Sequence, residues 1–397
     1  MNYKELFRKV ERTLERIEGS EDLPVTLQMI LKSLVDDFKE ELGITGGRIY
    51  QRRGTSYQLT AQYGTGPTLK AGFRVPTSYP PLQALVKRGY VYMGPEDEGF
   101  DPEIEKKIGV RRFAAIAVGE DAPWVIAFTV GRRVVGENLR VSLSTIRHAV
   151  NLKLRQEALE DIIHEAKKIQ LGLLPKELPK FADFDFWGGS IPAEEVGGDL
   201  YDFIQLSERI LGVAIADSSG HGLPAALQAR DVITGLRVAI EENFKIVKGI
   251  EKLNRVISRG SLSSRFISLF YCEVELNGNL FYTNCGHPPP IFIRDGKVKH
   301  LTKGGMILGP NPDALYERGF VSFRRGSFMV LYTDGITEAA RPGSDDLYGA
   351  ERLGTLCKKL TGKSAKEIGE AVFAAAHDWS KGAPLQDDRT VVVLRRP

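Results

Sequence analysis

Hydrophobic and polar positions divide the chain into four stretches with different periods. Over residues 4–16 and 23–42 apolar side chains recur every three or four positions, predicting helices separated by the break Glu18-Gly-Ser-Glu21. Residues 47–130 carry short alternating or wholly apolar runs instead. Those at 47–51, 57–61, 90–93, 112–118 and 124–130 read as strands, with a helix at 81–88. Residues 137–173 form one long helical pattern ending at Pro175. Its apolar stripe runs through Leu143, Ile146, Val150, Leu154, Ala158, Ile162, Ala166, Ile169 and Leu173. Steps of four from Ile146 to Ala166 make the stripe drift, as at a stutter, instead of holding a strict heptad. The first two turns are expected to pack on their own domain. Beyond Lys153 the stripe fits a parallel contact between two protomers.

After Leu178-Pro179 the pattern becomes strands with intervening helices. Strands are predicted at 184–188, 201–205, 210–216, 266–275, 279–284, 290–294, 328–333 and 390–395. Helices are predicted at 224–242, 245–258, 350–360 and 364–381. Strands interrupted by a helical pair and closed by a final strand fit two sheets with helices outside them. The expected organisation is an α/β chain with one domain over residues 1–138, a helical linker over 139–175 and a third region over 176–397.

Composition narrows the class. The chain has 397 residues, 42% hydrophobic and 26% charged, with a net charge of +3 that does not argue for nucleic acid as the main partner. No apolar run approaches a membrane span, and the charged, amphipathic start has no signal-peptide core. Cys272, Cys285 and Cys357 lie far apart and read as reduced, buried thiols. A soluble, cytoplasmic protein is expected.

The candidate chemistry is a repeated placement of acids. Asp199 follows Gly197-Gly198, Asp217 ends the run 210–216, Asp334 ends the run 328–333, and Asp387-Asp388 precede the run 389–394. Any one Asp after a strand is ordinarily a turn residue or a helix cap. Four carboxylates at the tips of buried strands are costly unless a cation or donor meets them. Oxygen ligands without His or Cys partners point to magnesium or manganese rather than zinc.

Ordered matches over residues 166–396 resemble the metal-dependent serine/threonine protein phosphatases, specifically the bacterial RsbU and SpoIIE branch. They are Gln170-Leu-Gly-Leu-Leu-Pro175, Pro192-Ala-Glu-Glu-Val-Gly-Gly-Asp-Leu-Tyr-Asp-Phe203, Asp217-Ser-Ser-Gly-His-Gly222, Gly286-His-Pro-Pro-Pro290, Thr333-Asp-Gly-Ile-Thr-Glu-Ala339 and Asp387-Asp-Arg-Thr390. The resemblance implies an α-β-β-α sandwich and two Mn2+ or Mg2+ ions. Asp217 would bridge them, Asp199 and the Ser218 carbonyl would serve one ion, and Asp334 and Asp387 would hold the other, with Asp388 behind them. The eukaryotic pattern has a His two residues after the bridging Asp, where this chain has Ser219. His221 then reads as a loop-ordering residue and His287 as part of a turn. The implied substrate is a phosphorylated protein, an anti-sigma-factor antagonist in a stress-response pathway.

The first 138 residues resemble a GAF-type sensor by element order alone. Phe73, Tyr79, Tyr90, Tyr92, Phe100 and Phe113 are candidates to line a pocket for a small-molecule input, although core packing is the ordinary reading of such aromatics. A protein input or dimerisation alone is equally compatible. Three other readings compete for the C-terminal region. Gly197-Gly-Asp199 resembles diguanylate cyclases, but the following residues do not continue that motif. His377-Asp378 resembles metal-dependent phosphodiesterases, but six histidines supply no matched ligand set. A catalytically inactive phosphatase fold that sequesters a partner is the third.

Overall fold

A computed structural model describes residues 3–17, 22–131, 137–181, 183–220, 222–241, 245–259 and 266–397. The chain divides into two compact units, Met1–Asp161 and Ile162–Pro397, and the division falls inside the helix Glu137–Leu171. No helix among the described residues is long and apolar enough to cross a membrane.

The first unit is built on six strands: β1 (Ile44–Arg53), β2 (Ser56–Gly64), β3 (Arg74–Pro76), β4 (Tyr90–Met93), β5 (Phe113–Val118) and β6 (Trp124–Val130). They form one antiparallel sheet in the order β3-β2-β1-β6-β5-β4. On one face Leu27, Ile30 and Leu34 of the helix Leu23–Asp37 pack with Leu143, Ile146 and Val150 of the long helix. The first turns of the predicted stripe therefore do serve this unit's own core. On the other face Tyr57, Leu85, Ile108 and Val125 form a second core under the helices Pro80–Arg88 and Pro102–Ile108. The latter helix escaped the periodicity reading because it is only seven residues long. Its signals were local: the Asp101 side chain accepts from the Glu103 and Ile104 amides, and Pro102 occupies the first turn.

A cavity of about 60 Å³ lies on this second face. Tyr79 and Phe113 line it, but Phe73, Tyr90, Tyr92 and Phe100 do not. Alternation along β4 explains why Tyr90 and Tyr92 follow the ordinary core reading. Tyr90 and Tyr92 point to the long-helix face, while Val91 and Met93 point to the other. The lining groups that aromatic residues could not announce are Arg48 and Glu105.

The second unit has two sheets. Strands β7 (Asp185–Ile191), β8 (Asp199–Ser207), β9 (Ile210–Ser218), β10 (Ile267–Glu275) and β11 (Asn279–Cys285) are followed by β12 (Ile291–Arg294), β13 (Lys297–His300), β14 (Gly304–Gly305), β15 (Gly319–Ser322), β16 (Phe328–Tyr332) and β17 (Arg389–Arg395). One sheet runs β14-β11-β10-β9-β8, with β15 also on β11; the other runs β13-β12-β16-β17-β7. Val213, Ile215, Phe270, Phe292, Leu331 and Val392 fill the space between them. Helices Gly222–Glu241 and Ile246–Ser258 cover the outer face of the first sheet, and Gly349–Lys359 and Ala365–Trp379 that of the second. The expected sandwich is thus present. Strands β13, β14 and β15 and the helix Asp334–Thr337 span two to four residues, too short for a period to show. All three cysteines are buried free thiols.

A candidate metal centre at the end of the sandwich

Period-two alternation decides which acids meet. In β8 and β9, residues 201, 213 and 215 face the space between the sheets, so Asp199 and Asp217, in phase with them, face it too. Asp199 and Asp217 are direct cross-strand partners, and Asp217 is in turn opposite Ser268 of β10. Asp202, in the same motif as Asp199, is out of phase. It turns to the helical side and pairs with Arg237 at 2.7 Å. From the other sheet, β16 ends at Tyr332, and Thr333 leads directly into Asp334. Strand β17 begins just after Asp387-Asp388.

Asp199 is 4% exposed and accepts a hydrogen bond from Thr333 Oγ1 at 2.7 Å. Burial raises its carboxyl well above the usual range, and the charges of Asp217 and Asp388 raise it further. Burial likewise pushes Asp217 up to about 7, and Asp334, Asp387, Asp388 and Glu338 all add to the rise. Asp334 is pushed up to about 6, first by burial and then by Asp387 and Glu338. Among the described residues no ion pair involves Asp199, Asp217 or Asp334. The acids predicted from sequence therefore share one electrostatic neighbourhood.

Asp387 is exposed at its edge, and its Oδ1 accepts from the Asp388 amide at 2.8 Å. Asp388 has a different task. Its Oδ1 accepts from the Ala193 amide at 2.7 Å, and its Oδ2 from the amides of Gly198 at 2.5 Å and Asp199 at 3.4 Å. A Cβ on Gly197 would stand 2.5 Å from Asp388 Oδ2, so this close approach requires glycine. Gly335 is similarly constrained, with the Asp388 carbonyl 2.1 Å from where its Cβ would stand. Ser218 is buried, and its Oγ donates to the Ala225 carbonyl at 2.7 Å, which anchors the turn after β9.

The donor set is oxygen-only and hard, and it repels itself, both of which fit divalent magnesium or manganese. Among the described residues no three His, Cys, Asp or Glu side chains are gathered closely enough to enclose an ion as they stand. His221 lies outside the described residues. Ser219 Oγ accepts from the Phe266 amide at 3.0 Å, so it is occupied in holding the loop. His287 is buried, its Nδ1 is 2.7 Å from Ser268 Oγ, and burial lowers it to about 3. It is a neutral packing residue beside the Asp199–Asp217–Ser268 row. His377 and Asp378 are exposed on a surface helix, as the sequence reading had it.

Four contributors escaped the sequence reading: Thr333, Glu338, Ser268 and Gln170. Thr333, Glu338 and Gln170 lie within the motifs given above, without a role assigned to them. Ser268 is found only through strand register. Gln170 acts across 27 positions of chain, donating from Nε2 to the Gly197 carbonyl and accepting from the Gly197 amide at 3.0 Å.

Comparisons with known proteins agree with this architecture. Residues 207–397 match the family model described as Stage II sporulation protein E (SpoIIE). The chain is 28% identical over 244 residues to the phosphoserine phosphatase RsbU of Bacillus subtilis, covering 61% of this chain and 72% of that protein. It is 26% identical over 152 residues to the phosphoserine phosphatase RsbP of the same organism, covering 37% of this chain and 38% of that protein. Among solved structures, the SiaA-PP2C domain of Pseudomonas aeruginosa superposes with a TM-score of 0.55 at 20% identity, covering 61% of this chain and 98% of that domain. That likeness is one of fold, and the site rests on the residues described above. Residues 207–397 thus form a SpoIIE-type PP2C phosphatase domain.

Proposed function

We propose that the chain is a Mn2+- or Mg2+-dependent phosphatase acting on phosphoserine or phosphothreonine of a partner protein. The observation that carries this is the self-repelling row of carboxylates at the sandwich end, with Asp217 raised to about 7 first by burial and then by Asp334, Asp387, Asp388 and Glu338. In this reading Asp217 would be shared by two ions. Asp199 and the Ser218 carbonyl would hold one, and Asp334 and Asp387 would hold the other. Two bound divalent ions supply an acidified water and positive charge against the phosphoryl oxygens. Thr333 fixes the Asp199 carboxylate through Oδ2, which leaves its other oxygen to the ion. Asp388 holds the Gly198 and Asp199 amides so that the carboxylate faces the mouth. His287, buried and neutral, does not serve as a proton donor to the leaving serine oxygen.

The substrate we propose is a phosphorylated anti-sigma-factor antagonist in partner switching, supported by the likeness to RsbU. We assign residues 1–138 as a GAF-like sensor, 139–175 as the linker and 176–397 as the catalytic region, operating in the cytoplasm. The linker helix leaves Leu159, Ile163 and Ile169 exposed, and Ile162 is 55% exposed, which supports pairing of two chains along it. The test is turnover of p-nitrophenyl phosphate and of a phosphoserine protein by the full chain, with Mn2+ and with chelator. Metal-dependent turnover of both is expected. A folded protein without it would be the partner-binding module instead.

A further inference from the structure

The helix Ala365–Trp379 ends among three guanidinium groups. Arg341 lies over the Trp379 ring at 3.8 Å, and Arg352 over the same ring at 4.2 Å. Arg389 donates from Nε to the Gly335 carbonyl at 3.1 Å and from Nη2 to Ser380 Oγ at 3.3 Å. Among the described residues one carboxylate pairs with this group: Asp346 stands 3.4 Å from Arg352 and 3.9 Å from Arg341. Arg389 is 5% exposed, and among the described residues it has no ion-pair partner and its Nη1 makes no hydrogen bond. Burial lowers its pKa, and no acidic neighbour offsets the shift.

A cleft of about 730 Å³ joins this cluster to the candidate metal centre. Arg341, Arg389 and Ser380 line it together with Gly335, Glu338 and Asp387. Glu338 and Asp387 already act on Asp334, so these two acids belong to the ion end of the cleft. Its size falls within the roughly 300–1,000 Å³ typical of ligand-binding clefts. A guanidinium taken out of water without a counter-charge is costly, and its flat fork of donors matches a carboxylate. The carboxylate row is suited to cations, and the arginine cluster beside it is suited to an anion. An acidic side chain near the phosphoserine would reach the cluster along the cleft while the phosphoryl group meets the ions.

We propose that this cleft takes the chain flanking the phosphoserine, and that Arg389 and Arg341 select substrates with an acidic side chain there. The inference rests on the phosphatase reading above and adds a sequence preference to it.

The test compares two phosphoserine peptides with the full chain in Mn2+. They are identical except for glutamate or glutamine at the two positions on each side of the phosphoserine. Wild-type kcat/KM should be about tenfold higher for the glutamate peptide, the worth of one charge-assisted hydrogen bond. Arg389→Met should bring this ratio close to one. Arg341→Ala, at a side chain that is 45% exposed, should bring it to about threefold and serves if the buried variant does not fold. General loss of structure would lower turnover of both peptides alike and leave the ratio standing. Arg325→Ala, at an exposed cation before the other end of β16, should keep the tenfold ratio. Three results overturn the preference and leave the phosphatase reading in place. One is a wild-type ratio of one or below, and another is a tenfold ratio retained in folded Arg389→Met or Arg341→Ala. The third is hydrolysis of p-nitrophenyl phosphate but of neither peptide. A wild-type chain that hydrolyses none of the three in Mn2+ overturns the phosphatase reading, and the preference with it.

Discussion

In the first unit Arg48 and Glu105 are buried, and both have partners. Arg48 donates from one nitrogen to the carbonyls of Pro67 at 3.0 Å and Ile108 at 3.1 Å, and Glu105 accepts from the Tyr79 hydroxyl at 2.5 Å. Burial raises the Glu105 carboxyl, but Tyr79 and the Arg48 charge pull against the rise. In the second unit burial raises Asp217 as well, yet the neighbouring charges all push in the same direction as burial. Both clusters pay desolvation, and only the first carries its own compensation. Among the described residues the like charges of Asp217 and Asp334 in the second cluster meet no ion-pair partner, an arrangement suited to receive a cation. That difference separates a structural polar cluster from a candidate catalytic one.

The largest effect expected from this contrast is on turnover. Asp217→Asn and Asp334→Asn should each bring Mn2+-dependent hydrolysis of p-nitrophenyl phosphate to background, while Glu105→Gln leaves it near wild type. A folded Asp217→Asn protein with normal turnover would remove the contrast altogether.

Stability should move in opposite directions in the two clusters. Arg48→Met strips a donor from two carbonyls, each loss costing about 1–3 kcal/mol, and should lower the melting temperature. Asp217→Asn removes a repelled charge and should raise that of the metal-free protein at pH 8, by about 2–4 °C if about 1 kcal/mol is relieved. Shifts of the same sign, read by differential scanning fluorimetry in chelator, would contradict the account.

The pH dependence follows with its sign. Asp217 at about 7 and Asp334 at about 6 both lie above their ordinary 3.8, so between those values the folded metal-free protein binds more protons than the unfolded chain. Their contribution is fully present below the unfolded value and is lost as pH rises through about 6 to 7. The gain in melting temperature on adding Mn2+ should accordingly be larger at pH 8 than at pH 5. An equal gain at both would mean the ions meet other groups.

The smallest effect on either cluster is expected from Ile162→Asp, which touches neither. Mn2+ affinity should be unchanged. If chains pair along the helix, the mass by light scattering should fall from dimer to monomer, and turnover should change with it. Unchanged mass and turnover would make the helix a spacer.

The legible parts of this chain were those written in a period or a contiguous motif. Strands of five or more residues announced themselves by alternation, and Asp199, Asp217, Asp334 and Asp387 by their place at strand tips. Alternation also turns Asp202, in the same motif as Asp199, away from the site and toward Arg237. What stayed hidden depends on contacts distant in sequence. The Arg48–Glu105 cluster joins residues 57 positions apart, Thr333 reaches Asp199 across 134 positions, and Asp388 reaches Gly198 across 190. Core packing, the ordinary reading of the first unit's aromatics, holds for Tyr90 and Tyr92 for a related reason. Counting aromatic residues ignores which face of β4 each occupies, and Tyr90 and Tyr92 occupy the opposite one.

The central claim is that Asp217 stands between two divalent ions, and diffraction at the manganese absorption edge tests it most directly. Crystals of the full chain grown with Mn2+ should show two anomalous peaks about 3.5–4 Å apart, the separation of two-ion phosphatase sites, with the Asp217 carboxylate touching both. Density confined elsewhere, or none beside Asp217 at a Mn2+ concentration that supports turnover, would contradict it.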